Sequence, residues 1–337
     1  LIRLDREKPV KPNWFPAVIQ GDISQRRNAN TNQAQEALEI YLQLSRDALA
    51  GKPKPEILLW PESAVPVPYR STHSVSFLFR IGLQNLILQS GVPMLIGAID
   101  FEDKLPGSAT PPGMTNSALF FNHRGRLRHK YDKIHRVPYG EYIPFRRCLP
   151  GFIVRMIDMN RDLVPGADYN PIEVRSDVRA GTAICYEGVF GYLTREFARR
   201  GANVLVVLSN DAWYPKSSEP EQHLANATLR AVETGLPMVR CGNNGGSLVV
   251  TPYGRITQVL TVDGPEQRPE LRRGRGVKTL AVGVEPSPSY TFYVRHGEWF
   301  IAVLAAVEAV FWLAAFAGFK KRKQALLDAI RRPGAES

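Results

Sequence analysis

Cys185 lies in Ala183-Ile184-Cys185-Tyr186-Glu187, after an apolar stretch and before the turn-rich Gly188-Val189-Phe190-Gly191. Alone, such a thiol reads as a packing residue, since free cysteine is among the most buried residue types. It becomes a strong nucleophile where a base, a cation and backbone dipoles favour the thiolate. Two other segments offer such partners: Glu62 in Trp60-Pro61-Glu62-Ser63 and Lys133 in Lys130-Tyr131-Asp132-Lys133-Ile134-His135. A carboxylate can take and return the thiol proton, and an ammonium can hold charge developing on a carbonyl oxygen.

These segments need elements to hold them. Ala17-Val18-Ile19-Gln20 predicts a strand, residues 32–50 a helix stopped by Gly51-Lys52-Pro53, and Ile57-Leu58-Leu59-Trp60 a short strand buried on both faces. A helix is expected near 74–90, strands at 94–99 and 117–121, and a Pro/Gly-rich loop between those strands. Further strands are expected at 172–174, 181–185, 204–208, 238–240, 247–250 and 256–260, with helices near 192–200 and 219–234. The alternation suggests a layered α/β domain without internal repeats. Glu62, Lys133 in its Lys-Tyr-Asp run, and Cys185 are expected to end short strands, a common station for catalytic side chains in α/β folds. Segment 145–170 breaks the rhythm, mixing Pro, Gly and Arg with Phe152, Ile153, Val154, Met156, Ile157 and Met159. It is expected to be a long functional loop or lid.

With 337 residues, 44% hydrophobic and 22% charged, the chain can build a sizeable core and is not globally disordered. Its net charge of +11 invites a nucleic-acid partner, but the distribution argues against one. Lys320, Lys321, Arg322, Lys323, Arg331 and Arg332 cluster behind an apolar segment, where they suit membrane phosphates. The runs 124–128 and 272–275 lack the interleaved aromatics of a base-stacking platform. Cys148, Cys185 and Cys241 show neither CxxC nor metal-type spacing, so no metal or cofactor is expected. Whether Cys148 and Cys241 pair is left open.

Residues 299–319 form an apolar run of about 21 residues, enough to cross roughly 30 Å of hydrocarbon. Trp299 supplies an interfacial anchor and Lys320-Lys321-Arg322-Lys323 a positive-inside stop. The expected organisation is a lead-in at 1–13, a catalytic domain at 14–290, a transmembrane helix at 299–319 and a basic cytoplasmic tail at 320–337. Glu308 interrupts the span and is expected to face other helices. The first residue, Leu1, is not an initiator methionine, and a fragment whose N-terminal part is missing is expected.

Glu62, Lys133 and Cys185, in that order and separated by about 70 and 50 residues, resemble the catalytic set of the nitrilase superfamily. A closer resemblance is to its apolipoprotein N-acyltransferase branch. It is carried by residues 59–64 (Leu-Trp-Pro-Glu-Ser-Ala), residues 133–144 (Lys-Ile-His-Arg-Val-Pro-Tyr-Gly-Glu-Tyr-Ile-Pro) and Ile184-Cys185-Tyr186-Glu187. Ser209-Asn210-Asp211-Ala212-Trp213-Tyr214, Leu229-Arg230-Ala231 and residues 240–245 (Arg-Cys-Gly-Asn-Asn-Gly) complete it, over a stretch from about Trp14 to Leu260. Residues 215–220 depart from the branch's usual form.

The resemblance implies a nitrilase-like α-β-β-α sandwich followed by one transmembrane helix. It also implies a ping-pong reaction in the bacterial inner membrane, with the catalytic domain on the periplasmic side. Glu62 would take the thiol proton, Cys185 would attack a phospholipid ester, and Lys133 with a nearby backbone N–H would hold the oxyanion. The resulting thioester would pass its acyl group to the α-amino group of a diacylglyceryl-modified apolipoprotein. Glu141 resembles the superfamily's second glutamate, which braces the lysine. Tyr186 and Glu187 are expected to shape the site, and Asn210, Trp213 and Tyr214 to line substrate entry. His135 is a rival base. A monomer is expected. Two other readings stay open: a membrane-anchored amidase or nitrilase, and a catalytically silent membrane-tethered binding domain.

Overall fold

The computed structural model describes residues 10–24, 31–103, 111–157, 162–213, 217–262, 268–271 and 273–331. Its contacts divide the chain into two compact units, Leu1–Val294 and Arg295–Ser337.

The first unit opens with β1 (Pro16–Gln20), α1 (Thr31–Ala50), β2 (Ile57–Val65), α2 (Ser74–Ser90), β3 (Met94–Phe101), β4 (Met114–Phe121) and β5 (Leu127–Asp132). After the short α3 (Gly151–Met156) come β6 (Ile172–Arg175), β7 (Val178–Ile184), α4 (Gly191–Arg199), β8 (Val204–Ser209), α5 (Glu219–Thr234) and β9 (Met238–Gly242). β10 (Leu248–Val250), β11 (Ile256–Val259), β12 (Gly276–Thr279) and α6 (Phe292–His296) close the series. Although the sequence carries no repeat, the order β-α-β-α-β-β-β occurs twice, from β1 and from β7.

Each repeat of that order supplies five strands of a six-stranded sheet, completed by β12 in the first and β6 in the second, ordered β12-β1-β2-β3-β4-β5 and β11-β10-β9-β8-β7-β6. In the first, β1, β2 and β3 run parallel and β4, β5 and β12 antiparallel to their neighbours. Side-chain alternation along β2 explains the layering. Ile57 and Leu59 join the core shared with the second sheet, whereas Leu58 and Trp60 pack with Ala34, Leu38 and Tyr41 of α1 and Phe79 and Leu83 of α2. The second sheet's β8 is buried throughout, the pattern of a parallel strand covered on both faces. Phe197 of α4 and Ala227 of α5 share its core. The result is an α-β-β-α sandwich.

The expected strands and helices are present, including the strand expected to end at Lys133, β5, and one strand, β12, is additional. β5 and β12 lie at an edge of the first sheet and are largely half-exposed, so neither carries a strong apolar signature. Segment 145–170 is less loop-like than expected. It contains a 310 turn at Arg146–Cys148 and α3, and its return is stitched to the sheet by Val164 N–H to the Met114 carbonyl (2.7 Å) and Gly166 N–H to the Lys133 carbonyl (3.0 Å). Met159 lies outside the described residues. Cys148 is exposed and Cys241 buried, and both are free thiols.

The second unit is dominated by α7 (Trp299–Arg331), among the described residues the one helix long and apolar enough to cross a membrane. Its apolar side chains are exposed, Val307, Phe311 and Leu313 by 63–69%. The helix runs on through Lys320-Lys321-Arg322-Lys323, beyond the expected end at 319. Glu308 accepts a bond from Trp312 Nε1 one turn later (3.4 Å).

Candidate active site

The topology brings several strand ends to one rim. Glu62 leaves β2 near its C-terminal end, and Cys185 and Asn210 follow the C-terminal ends of β7 and β8. β4 runs antiparallel to β3, so its beginning, with Asn116, lies on the same rim, and so does the end of β5 that leads into Lys133.

Glu62 owes its position to a break in β2. The pairing with β3 shifts between Trp60 and Val65, and Ser63 has φ 53°. The bulge presses so closely on β3 that a Cβ at Gly97 would meet the Pro61 carbonyl oxygen at 2.3 Å and Glu62 Cα at 2.6 Å. Glycine at 97 is therefore a requirement of the catalytic rim, not of a turn.

Lys133 is 1% exposed and sits between two carboxylates, 3.4 Å from Glu62 Oε1 and 3.0 Å from Glu141 Oε1. Burial works against its charge, but Glu62 and Glu141 outweigh it and hold the ammonium well above its usual pKa. The Asn116 amide donates to the same two oxygens, at 2.8 Å each. Glu141 Oε2 accepts from the Val137 N–H (2.8 Å), which ties the glutamate into its own turn. Glu62 is 5% exposed, and its second oxygen, Oε2, has no hydrogen-bond partner among the described residues. A carboxylate anchored through one oxygen and bare at the other is arranged to receive a proton.

Cys185 begins a 310 turn, Cys185–Val189, with φ 51°, a left-handed conformation that a non-glycine residue rarely adopts. Burial pushes its thiol pKa well up, the Glu62 charge adds to this, and Lys133 and the Asn210 N–H oppose it. The resting nucleophile is therefore a neutral thiol. It needs a base at the moment of attack, rather than standing as a preformed thiolate.

Glu187 binds these two regions together. Oε1 accepts the N–H groups of Ile134 (2.7 Å) and His135 (2.9 Å), just after Lys133. Oε2 accepts Ile184 N–H (2.8 Å), just before Cys185, and the Tyr131 hydroxyl (2.8 Å). Burial raises its pKa to about 7 against those donors.

His135 points elsewhere. Its ring stacks on Phe190 at 3.7 Å, and Nδ1 bonds to the Tyr192 hydroxyl (2.8 Å). Burial and Lys133 lower its pKa. Tyr186 belongs to the same aromatic cluster. Asn210 is buried and bonded through Nδ2 to the Glu62 carbonyl (3.4 Å) and through Oδ1 to Asn243 (3.0 Å). Trp213 is 45% exposed, and Tyr214 lies outside the described residues.

The sequence points to Asp211 as a loop-anchoring or pocket residue at a strand end, but gives no role to Asn116 or to His223, which belongs to a buried group behind Cys185. There, Asp211 pairs with Arg240 (Oδ2 to Nη2, 2.6 Å) and accepts from Ser209 Oγ (2.8 Å). His223 bonds through Nδ1 to Asp211 Oδ1 (2.9 Å) and through Nε2 to the Cys185 carbonyl (2.8 Å). Two signals could have found these residues. Asn116 belongs to a Thr-Asn-Ser run near the start of a strand otherwise apolar, and His223 falls on the buried face of α5 with Ala227, Ala231 and Thr234.

Residues 17–266 match the carbon-nitrogen hydrolase family. Over 294 residues the chain is 34% identical to the apolipoprotein N-acyltransferase of Brucella suis biovar 1 (strain 1330), covering 85% of this chain and 50% of that protein. Over 306 residues it is 31% identical to the apolipoprotein N-acyltransferase of Geobacter metallireducens, covering 89% of this chain and 53% of the relative. The chain thus spans about half the length of these relatives. In fold it resembles Saccharomyces cerevisiae Nit3, a member of branch 10 of the nitrilase superfamily. That likeness has a TM-score of 0.56 at 18% identity and covers 82% of this chain and 92% of the other. An amidase from Nesterenkonia sp. gives a TM-score of 0.54 at 19% identity, covering 81% and 93%.

Proposed function

From a chain that belongs to the carbon-nitrogen hydrolase family, with a buried carboxylate and ammonium and a half-buried thiol on one rim, we propose an acyltransferase that N-acylates lipoproteins. The donor is a phospholipid ester and the acceptor the α-amino group of a diacylglyceryl-cysteine. The observation that carries the acceptor and donor classes is the 31–34% identity to apolipoprotein N-acyltransferases over 85–89% of this chain. Two features support a lipid substrate. Tyr139, Phe145, Phe152 and Met156, in the segment after Lys133, are 55–82% exposed, and α7 has the length and composition of a membrane anchor.

In the first half-reaction Glu62 Oε2 takes the thiol proton as Cys185 Sγ attacks the ester carbonyl carbon. Lys133 and the Tyr186 N–H hold the oxyanion. Collapse breaks the ester C–O bond, Glu62 returns the proton to the departing alkoxide, and lysophospholipid leaves a thioester on Cys185. In the second half-reaction the lipoprotein amine attacks that thioester and Glu62 takes the amine proton. The C–S bond then breaks to give the amide, and Glu62 reprotonates the sulfur. Glu141 and Asn116 keep Glu62 and Lys133 in register throughout. Trp213, 45% exposed, lines the approach.

On this reading, residues 14–290 form the catalytic domain on the periplasmic face of the inner membrane, and 299–319 its membrane span. Lys320–Lys323 hold the C-terminal side in the cytoplasm.

The test supplies the full chain, in vesicles of phosphatidylethanolamine and phosphatidylglycerol, with a diacylated lipopeptide. Mass spectrometry should find the donor's acyl group on Cys185 and then on the peptide amine, and neither in Cys185→Ala. Release of free fatty acid or ammonia without peptide acylation would instead establish the hydrolase reading.

A further inference from the structure

Behind the nucleophile, Cys185 Sγ, an Asp211 oxygen and a His223 ring nitrogen lie within 4.8 Å of one another. The trio invites a metal or a Cys–His–Asp proton relay, but its hydrogen bonds leave room for neither. A carbonyl oxygen only accepts, so the nitrogen 2.8 Å from the Cys185 carbonyl, His223 Nε2, carries a hydrogen aimed at it. Nδ1 faces Asp211 at 2.9 Å and Glu219 Oε1 at 3.3 Å, so it too is a donor. An imidazolium donating from both nitrogens has no lone pair for the thiol or for a cation. Asp211 is likewise committed, to Arg240 and Ser209.

What the imidazolium does hold is the backbone of the nucleophile. Cys185 stands at φ 51°, where its peptide orientation is not fixed by ordinary backbone preference. In a planar trans peptide the Cys185 C=O and the Tyr186 N–H point in opposite directions, so fixing one fixes the other. His223 belongs to α5, on the outer side of the second sheet, and draws the carbonyl toward that helix. The Tyr186 N–H then faces the opposite way, toward the sheet that supplies Glu62 and Lys133. We infer that His223 is a positioning residue, whose bond to the Cys185 carbonyl sets the Tyr186 N–H as the oxyanion donor opposite Lys133. The inference rests on the acyl-transfer reading.

The experiment compares His223→Gln and His223→Asn in the full chain. The Gln amide reaches the position of imidazole Nε2 and keeps a donor for the carbonyl. The Asn amide reaches only the position of Nδ1. Two rates are read: acylation of Cys185 by p-nitrophenyl butyrate, which passes through an oxyanion, and alkylation by iodoacetamide at its high-pH plateau, which does not. His223→Asn should lose about 10²–10³-fold in acylation, while its alkylation stays within about threefold and His223→Gln stays within about tenfold of wild type on both. Where His223→Asn fails to fold, His223→Met serves the same comparison. Acylation of His223→Asn at the wild-type rate, a parallel fall in both its rates, or a Gln variant as poor as Asn would each overturn the assignment. A wild-type chain that is alkylated yet never acylated would remove the acyl-transfer reading itself, and the inference with it.

Discussion

Asn116 Nδ2 lies 2.8 Å from Glu62 Oε1, the same oxygen that Lys133 approaches at 3.4 Å, so the amide is the shorter of that oxygen's two anchors. It also reaches Glu141 Oε1 at 2.8 Å. One amide thus keeps two carboxylates at a fixed separation around the lysine, and leaves Glu62 Oε2 as the bare oxygen. Hydrogen bonds to charged groups are worth about 1.5–3 kcal/mol. Asn116→Ala should therefore lower kcat/KM for acylation about 10–100-fold, and Asn116→Asp more, since it adds a third carboxylate to the group. Stopped-flow acylation with p-nitrophenyl butyrate measures both, and an Asn116→Asp chain at wild-type rate would remove this role.

Gly97 makes a steric prediction. A methyl group there collides with backbone atoms of Pro61 and Glu62, which cannot swing aside as a long side chain can. Gly97→Ala should push the β2 bulge outward and displace Glu62 while the surrounding sheet persists. The expected result is an acylation rate lowered by at least about 10²-fold with a cooperative thermal transition retained. A Gly97→Ala chain of wild-type activity would show that the bulge relaxes freely.

How much of this was legible in the sequence follows from where burial leaves a pattern. β2 and β8 are covered on both faces, and their unbroken apolar runs announce them. β5 reads Leu-Arg-His-Lys-Tyr-Asp and forms an outer edge of its sheet, so it carries no apolar run, and only the motif around Lys133 pointed to a strand there. Glu62, Lys133 and Cys185 were visible through the motifs around them. Asn116 was not, because its meaning comes from the antiparallel return of β4, which carries it back to the rim that β2 reaches. His223 is 38 residues from the carbonyl it holds, a partnership that only the packing of α5 against the Cys185 turn creates.

Glu187 accepts four hydrogen bonds, three of them from backbone N–H groups on both sides of the site. Glu187→Gln would turn an amide NH₂ toward donors and leave buried N–H groups unpaired, at about 1–3 kcal/mol each. Both the Lys133 segment and the Cys185 turn should loosen together. Urea unfolding should show a midpoint lower by an amount consistent with several kcal/mol, and iodoacetamide alkylation of Cys185 should change as acylation does. A variant that loses acylation without losing stability would mean that the clamp is chemical, not structural.

His223 makes stability depend on pH in a defined window. Burial alone would lower its pKa, but hydrogen bonds to Asp211 and Glu219 raise it to about 9, against about 6.5 for an unfolded histidine. Between those values the native state holds a proton that the unfolded chain has released. The contribution, roughly 3 kcal/mol, is complete below about pH 6.5 and is lost as pH rises through about 9. Cys185 and Cys241 also have pKa values raised by burial. They add a loss of the same sign once unfolded thiols ionise, near pH 8.5. Glu187, raised by burial to about 7, adds a loss of the same sign up to about that pH, so the decline between about pH 7.5 and 8.5 is the histidine's own. Urea midpoints across that range should fall steadily in the wild-type chain and stay flat in His223→Gln, whose amide does not titrate. Parallel curves for the two chains would show that His223 sits neutral in the native state. The bond to Asp211 would then be carried by a single ring proton, and the Cys185 carbonyl would lose its donor.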